Sequence, residues 1–168
     1  MERLDWINIE NEIDIGFLMK TFGGFHDSCI KEMHFVGNGY VGADFGMGIS
    51  DTAKLCIIFQ RQYDNPSAIE MEFMQLNHLS VGVSDNHFPD IFDAALFFKN
   101  DKIYWANDSD WTPDDDSNYP NTVWVMAKSV RWRILNGALG EDLFYYSKFD
   151  DDDKSNDIFT AKRAGKPT

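Results

Sequence analysis

The chain has 168 residues, 43% of them apolar and 15% aromatic, with 28 acidic against 15 basic side chains and a formal net charge of −13. This composition excludes a disordered chain and predicts one domain large enough to bury a core without disulfide staples. The negative charge opposes binding to a phosphate backbone, so no nucleic-acid partner is expected. It would attract a basic protein or divalent cations, or simply keep the chain soluble.

The sequence indicates a reducing compartment and no membrane partner. Its first residues run into no apolar segment of the length that a signal peptide needs. The longest apolar runs, residues 55–59 and 94–98, are far shorter than the roughly 18 residues of a membrane span. Cys29 and Cys56 each lie in an apolar, strand-like run, which predicts reduced thiols in the core. We therefore expect a cytoplasmic protein.

The first element is predicted to be a helix. Ile9, Ile13 and Phe17 recur at i, i+4 and i+8, which places them on one helical face. Asn8 precedes them as an acceptable N-cap, and the glycine pair at 23–24 supplies a stop.

Alternation with period two predicts strands over most of the remaining chain. Ile69, Met71 and Phe73 alternate with Glu70 and Glu72, so one face of that strand is expected to be dry and the other wet. The predicted strands cover residues 28–36, 41–45, 55–62, 69–73, 94–98, 103–105 and 122–135, with hairpin turns at 37–39 and 99–102, a bulge or bend between 127 and 130, and a further edge strand at 143–146.

Short strands separated by turn signals predict the fold class. The expectation is a mainly β (α+β) fold, either an antiparallel sandwich or a strongly bent sheet, with the N-terminal helix covering one side. No repeat or linker divides the sequence. We therefore expect a single β-rich domain over residues 1–149, followed by a polar C-terminal tail at 150–168.

The junction between the helix and the first strand, Phe25-His26-Asp27-Ser28, invites an enzyme hypothesis. A His-Asp pair can bind a metal or orient a general base, but neighbouring side chains of an extended segment point to opposite faces unless the backbone turns. We favour a structural role, in which His26 and Asp27 satisfy backbone groups at the glycine turn. The alternative is a small-ligand or metal-dependent enzyme that uses His26 and Asp27, with His78 and His87 as further ligands.

The N-terminal layout resembles that of a known group of proteins. An N-terminal helix, the sequence Phe-Gly-Gly-Phe-His-Asp-Ser at residues 22–28, a hydrophobic strand and a series of antiparallel strands are similar to those of small uncharacterised bacterial β-rich proteins. Some of these are regarded as immunity proteins of polymorphic toxin systems. The motif covers about the first forty residues. The resemblance implies a bacterial cytoplasmic protein that binds another protein, and it supplies no catalytic residues.

The acidic loop at residues 107–118 is the main candidate for a binding surface. Its spacing does not fit an EF-hand: counted from Asp108, the sixth place holds Pro113 instead of glycine and the twelfth holds Tyr119 instead of glutamate. We interpret Trp105 and Trp124 as core residues of their strands. Exposed aromatic rings beside carboxylates suit a protein-protein hot spot or a carbohydrate platform. The candidate partner-binding residues are Asp108, Asp110, Trp111, Asp114, Asp115, Asp116 and Tyr119.

These observations together predict a non-enzymatic protein-binding domain, immunity-like in that it neutralises a basic partner. No cofactor and no metal are expected. The sequence contains no Gly-x-Ser-x-Gly elbow, P-loop, Gly-x-Gly-x-x-Gly turn or Cys-x-x-Cys pair. The alternatives are the enzyme described above and a carbohydrate-binding module that uses Trp111 and Tyr119.

Overall fold

The computed structural model describes residues 2–50, 53–82 and 90–141. These ranges hold one α-helix, two short 3₁₀ turns and ten strands, so the predicted mainly β fold with an N-terminal helix is confirmed. The predicted edge strand at 143–146, the tail at 150–168 and His87 lie outside the described residues. The helix α1 covers Glu12–Thr21, the 3₁₀ turns cover Gly23–Phe25 and Asp116–Asn118, and the strands are β1 (Glu2–Arg3), β2 (Ile7–Ile9), β3 (Ser28–Val36), β4 (Gly39–Val41), β5 (Met47–Ile49), β6 (Lys54–Arg61), β7 (Ala68–Ser80), β8 (Ala95–Lys99), β9 (Lys102–Ala106) and β10 (Trp124–Asn136).

Strand β10 is the centre of one main antiparallel sheet. The strands follow the order β3-β6-β7-β10-β9-β8. One edge of β10 pairs with β7, while the other pairs with β9 near its start and with β2 and β1 near its end. The register against β7 shifts between Met126 and Ala127, one residue before the predicted irregularity. Within the described ranges the strands form this sheet and one separate hairpin, and not the two facing sheets of a sandwich.

The separate hairpin consists of β4 and β5, which pair only with each other in the described part of the chain. The sequence predicted that the turn at 37–39 would join β3 to the following strand. That prediction is wrong, because β3 pairs with β6 and brings Val36 opposite Lys54. The predicted strand at 41–45 also ends early: Gly42 and Gly46 form a backbone hydrogen bond of 2.8 Å, and Phe45 adopts a positive φ of 65° in the turn between them.

The hairpin of β8 and β9 forms as the sequence predicts. Lys99 pairs directly with Lys102, which leaves a two-residue loop of Asn100 and Asp101. Both loop residues have positive φ, 53° and 58°. Two positive values are characteristic of the type I′ turn, whose twist matches that of the flanking strands.

The helix begins three residues later than predicted. Asn11, and not Asn8, is its N-cap: the Asn11 side chain accepts hydrogen bonds from the backbone N–H groups of Ile13 and Asp14, and the Asp14 carboxylate accepts one from the Asn11 backbone N–H. This capping box fixes the first turn. Ile9 is in β2 instead, opposite Val130 on the free edge of β10.

The later start also changes the face that the helix buries. Ile15 and Leu18 are its buried residues, whereas Ile13 is 82% exposed and Phe17 is about half exposed, with its ring 5.8 Å from that of Trp132. Ile9, Ile13 and Phe17 have helical spacing in the sequence, but Ile9 belongs to strand β2 and is not part of the helix.

The main core lies between α1 and the inner face of the sheet. Phe25, from the 3₁₀ turn after the helix, is its central contact: its ring lies 5.0 Å from Phe59 and 5.9 Å from Trp105. Trp105 and Trp132 are fully buried in this core, as predicted for Trp105. The helix is not long and apolar enough to cross a membrane, and no other described helix is.

The outer face of β7 is not wet. Glu70 and Glu72 are only 1% and 3% exposed. Glu70 accepts a hydrogen bond of 2.7 Å from Nε of Arg133, and Glu72 accepts one of 2.6 Å from Nε of Arg131 and one of 3.3 Å from Nζ of Lys54. Alternation in the sequence reveals two faces but not what covers each, so the prediction of a solvated face was wrong.

Trp6 adds to the cover over these charges. Its ring lies 4.3 Å from the guanidinium carbon of Arg131 and 4.0 Å from that of Arg133. Guanidinium groups are attracted to aromatic faces, and Arg keeps its planar hydrogen bonds while stacked. The short segment between β1 and β2 therefore holds Trp6 over the cationic half of the ion-pair layer.

Replacing Glu70 by Ala should destabilise the fold strongly. The change leaves Arg133 charged and buried without its carboxylate, which typically costs about 3–5 kcal/mol and lowers the melting temperature by roughly 10 °C for a chain of this size. Asp114→Ala is the control, because it breaks an exposed pair with Lys99 and should cost no more than about 1 kcal/mol. Chemical denaturation of both variants measures the difference; equal losses would contradict a buried ion-pair layer.

Candidate functional site

Trp111 closes a second aromatic cluster on the outer face of the sheet. It is only 1% exposed and packs against Trp124 with 4.7 Å between ring centroids, and against Tyr104 and Phe97 at 6.5 Å. Its Nε1 donates a hydrogen bond of 2.9 Å to Asp116. The acidic loop thus covers rings on β8–β10 that would otherwise face water. Trp111 is not available as an exposed anchor for a protein or a sugar, contrary to expectation, whereas Trp124 is a packed residue as predicted.

The carboxylates of the acidic loop are partly committed to local contacts. Lys99 Nζ lies 2.7 Å from Oδ2 of Asp114. Asp108 accepts a hydrogen bond of 2.9 Å from the backbone of Asp110, which shapes the start of the loop. Asp110, Asp114 and Asp115 are exposed, while Asp108, Asp116 and Tyr119 are half-buried. The stretch 114–116 is therefore less free to meet a partner than its sequence indicates.

A cleft of about 420 Å³ opens beside the start of this loop. We call it the loop cleft. Its walls include Asp108 and Tyr119 from the predicted site, together with Asp90, Asp93 and Phe92 from the segment before β8. Three carboxylates and two aromatic rings therefore line one concavity.

A second cleft of about 390 Å³ lies at the beginning of β3, and we call it the junction cleft. Its lining includes Asp27, Cys29 and Arg61 together with Asp90 and Phe92. Asp90 and Phe92 thus belong to both clefts. The two candidate regions that the sequence analysis treated separately share a wall.

Backbone pairing between Ser28 and Ile91 creates this shared wall. The two residues exchange hydrogen bonds of 3.1 and 2.9 Å, so the segment 90–93 is tied to the start of β3. Phe92, next to Ile91, is 71% exposed and stands between Asp90 and Asp93 in the chain. Sequence reasoning missed this segment, although a large apolar residue between two aspartates is a signal that it could have used.

His26 and Asp27 form an exposed pair and do not hold the turn together. Asp27 has a positive φ of 51°, so the backbone turns there and the two side chains meet with 3.1 Å between Nδ1 and Oδ2. Tyr63 donates a hydrogen bond of 3.2 Å to the same carboxylate oxygen. About half of the His26 side chain is exposed.

The junction is closed by the backbone and by Ser28. The backbone of Ala94 donates to the carbonyl of Gly24 at 3.0 Å, and the buried Ser28 hydroxyl donates to the carbonyl of Phe25 at 2.6 Å. The prediction that the side chains of His26 and Asp27 satisfy backbone groups here is therefore wrong. The scaffold role belongs to the residue that follows them.

The alternative enzyme site is not assembled from the described residues. His78 stacks on Trp124, with ring centroids 4.1 Å apart, and does not join His26 and Asp27. In the part of the chain that the structure describes, no group of three His, Cys, Asp or Glu side chains could hold a metal ion. His87, the fourth predicted member, lies outside that part.

The cysteines differ in their surroundings. Cys56 is buried, as predicted, but Cys29 is only half-buried and lines the junction cleft. Burial raises the pKa of the Cys29 thiol above its usual value. Since the thiolate is the nucleophilic form, this environment does not activate Cys29 at neutral pH.

Comparison of the chain with protein-family models, with curated proteins and with solved structures finds no match. The resemblance of residues 22–28 to the immunity-like group therefore stays a prediction.

Trp111→Ala should destabilise the protein by about 3–5 kcal/mol, because it empties the centre of the outer aromatic cluster. Phe92→Ala is the matched control: it also removes an aromatic ring, but an exposed one, and should change the free energy of unfolding by no more than about 0.5 kcal/mol. Urea denaturation measures both. A stable Trp111 variant would mean that the loop does not depend on this ring.

The contacts at the junction between the helix and β3 predict different contributions of Ser28 and His26 to stability. Ser28→Ala leaves the Phe25 carbonyl without its buried donor, at a cost of about 1–3 kcal/mol. His26→Ala removes only an exposed pairing and should cost no more than about 1 kcal/mol. Thermal unfolding of the two variants gives the order; a larger loss for His26→Ala would restore its scaffold role.

Proposed function

We propose that this chain is a non-enzymatic protein-binding domain, and that a basic partner binds across the loop cleft and the junction cleft. The observation that carries the proposal is the shared wall: an exposed Phe92 beside Asp90 lines both the loop cleft, which has three carboxylates, and the junction cleft, where Asp27 and Asp90 share the lining with Arg61. Interfaces commonly combine a desolvated aromatic anchor with complementary charge around it.

The carboxylates supply the attraction in this proposal. Asp27 lines the junction cleft, Asp93 and Asp108 line the loop cleft, and Asp90 belongs to both. The net charge of −13 adds a long-range field that speeds the approach of a cation-rich surface. Lysine and arginine side chains of the partner would suit the loop cleft, whose charged lining residues are all carboxylates.

Phe92 takes the role that the sequence assigned to Trp111. An anchor must be exposed in the free protein and buried in the complex, and Trp111 is already buried. Tyr119, at the loop cleft, is the second ring available to a partner. A carbohydrate platform has less support, since the structure removes one of its two predicted rings.

An immunity-like role is the biological form of this proposal. It is supported by the resemblance of residues 22–28 and by the acidity of the loop cleft, which suits neutralisation of a basic toxin. On this view the chain is a bacterial cytoplasmic protein whose partner is encoded in a neighbouring gene. The enzyme alternative retains the hydrogen-bonded His26, Asp27 and Tyr63, but has no assembled metal site in the described residues.

The test compares two double variants that change the net charge equally. Asp90→Asn with Asp93→Asn should slow association with the partner and flatten its dependence on salt, because both residues line the clefts. Asp114→Asn with Asp115→Asn, on the exposed side of the loop, should leave the association rate within about twofold of wild type. Only their long-range attraction for the partner is lost, and salt screens it. Phe92→Ala should chiefly speed dissociation, by about 30-fold for a hot spot.

The partner for these measurements is captured from the source organism at low salt and identified, and the capture is repeated at about 0.5 M salt, where charges are screened within a few ångströms. Kinetics are then measured with the purified partner. If the Asp114 and Asp115 control slows association as much as the cleft variant does, attraction is only a property of net charge. If Phe92→Ala also leaves the dissociation rate of the partner unchanged, the cleft model is wrong.

A further inference from the structure

The loop cleft is lined by two buried polar side chains that attraction between charges does not explain. Asn107 and Thr122 are only 8% and 7% exposed, and both line this cleft. In the described part of the chain, neither Nδ2 of Asn107 nor the Thr122 hydroxyl makes a hydrogen bond. Neither is among the fully enclosed atoms that lack a partner, so both open onto the cleft. Since buried polar groups normally have hydrogen-bond partners, these two point to a bound polar group.

Two hydrogen bonds to Val123 hold the Asn107 amide in place. Its Oδ1 accepts one of 2.9 Å from the Val123 backbone N–H, and the Asn107 backbone N–H donates one of 3.1 Å to the Val123 carbonyl. The first bond identifies Oδ1 as the oxygen, because a backbone N–H needs an acceptor. Nδ2 is therefore a fixed donor at the cleft, and a ligand must offer it an acceptor.

The charged residues of the loop cleft require the ligand to be cationic. Asp90, Asp93 and Asp108 line it, and no lysine, arginine or histidine is among the described residues that do. Within the described ranges, Asp90 and Asp93 have no hydrogen-bond or ion-pair partner for their carboxylates. A free amino acid would bring its own carboxylate against these three, which repel it. A basic residue within a peptide instead offers a positive side chain and an uncharged backbone carbonyl as the acceptor.

The aromatic rings of the cleft favour arginine over lysine. Phe92 and Tyr119 line it together with the carboxylates. A guanidinium can pair with a carboxylate through its planar fork and stack on a ring at the same time, whereas an ammonium is a compact and strongly hydrated charge. The protein contains the same combination elsewhere: Arg131 donates to Glu72 while the Trp6 ring lies 4.3 Å from its guanidinium carbon.

We propose that the loop cleft binds one arginine residue of a peptide segment. The guanidinium lies among Asp90, Asp93 and the ring of Phe92, and the backbone carbonyl of the same arginine accepts hydrogen bonds from Nδ2 of Asn107 and the hydroxyl of Thr122. This inference rests on the proposed function, because it names the residue of the basic partner that the loop cleft recognises. It adds that recognition requires a peptide carbonyl as well as positive charge.

Blocked single residues test the pocket on the full chain, with the Asn107 side-chain amide followed by NMR titration. Acetyl-arginine amide should bind with a Kd of about 1 mM, as expected for so small a ligand. Acetyl-lysine amide should bind about 5-fold more weakly or worse, and acetyl-citrulline amide, which has a similar shape but no charge, should not bind measurably. Propylguanidine keeps the charge but has no carbonyl, and it should bind about 10-fold more weakly than acetyl-arginine amide.

Thr122→Val removes the hydroxyl at nearly constant volume, and Thr122→Ser is the matched control because it keeps the hydroxyl. The Val variant should bind acetyl-arginine amide about 5-fold more weakly than wild type, and the Ser variant within about twofold of it. Thr122→Val should also leave the melting temperature of the free protein undiminished, since the hydroxyl has no partner to lose. Asn107→Asp keeps the acceptor for Val123 and removes the donor, so the roughly 10-fold preference for acetyl-arginine amide over propylguanidine should disappear.

Equal binding of the arginine and lysine probes, or equal binding of acetyl-arginine amide by the two Thr122 variants, would overturn this inference. The proposed function would still stand if the captured partner responds to the Asp90 and Phe92 variants. If the arginine probe binds as expected and no partner responds to those variants, the arginine pocket remains and the proposed function fails. Glucosamine that binds more tightly than acetyl-arginine amide would assign the cleft to an amino sugar and overturn the peptide proposal.

Discussion

Glu72 and Glu70 of β7 lie directly opposite Arg131 and Arg133 of β10, and this cross-strand pairing fixes the register on which the rest of the sheet depends. The opposite faces of the same two strands carry Met71, Phe73, Val130 and Trp132 into the core. A slip of one residue would turn the charges of one strand into the core and its apolar residues outward. A slip of two residues would leave at least one buried carboxylate without its arginine.

This register also determines where the candidate sites lie. The edge of β10 that faces away from β7 pairs with β9 at one end and with β2 at the other. The connection from β9 to β10 passes over the outer face of the sheet, where Trp111 packs against Trp124. The loop that looked like a freely exposed acidic surface is therefore a cover for aromatic residues, and the exposed ring beside carboxylates is Phe92.

Local patterns predicted the elements, whereas contacts between distant residues determined the site. Alternation and turn residues were enough to predict the fold class and the hairpin at Asn100 and Asp101. They could not show that both faces of the first half of β7 are buried, because the period of a strand is independent of what covers it. Nor could they place Asp90 and Phe92 beside Asp27, since that neighbourhood depends on the pairing of Ser28 with Ile91.

The first residue of the helix likewise depends on contacts between residues that are distant in the sequence. Asn8 and Asn11 are both residues that can cap a helix, and the apolar spacing that starts at Ile9 favoured Asn8 although Asp14 stands at the capping-box position after Asn11. Asp14 completes a capping box only with Asn11, and the free edge of β10 recruits Ile9 into a strand. The pairing of Ile9 with β10 therefore fixes where the helix begins, which local propensity alone does not determine.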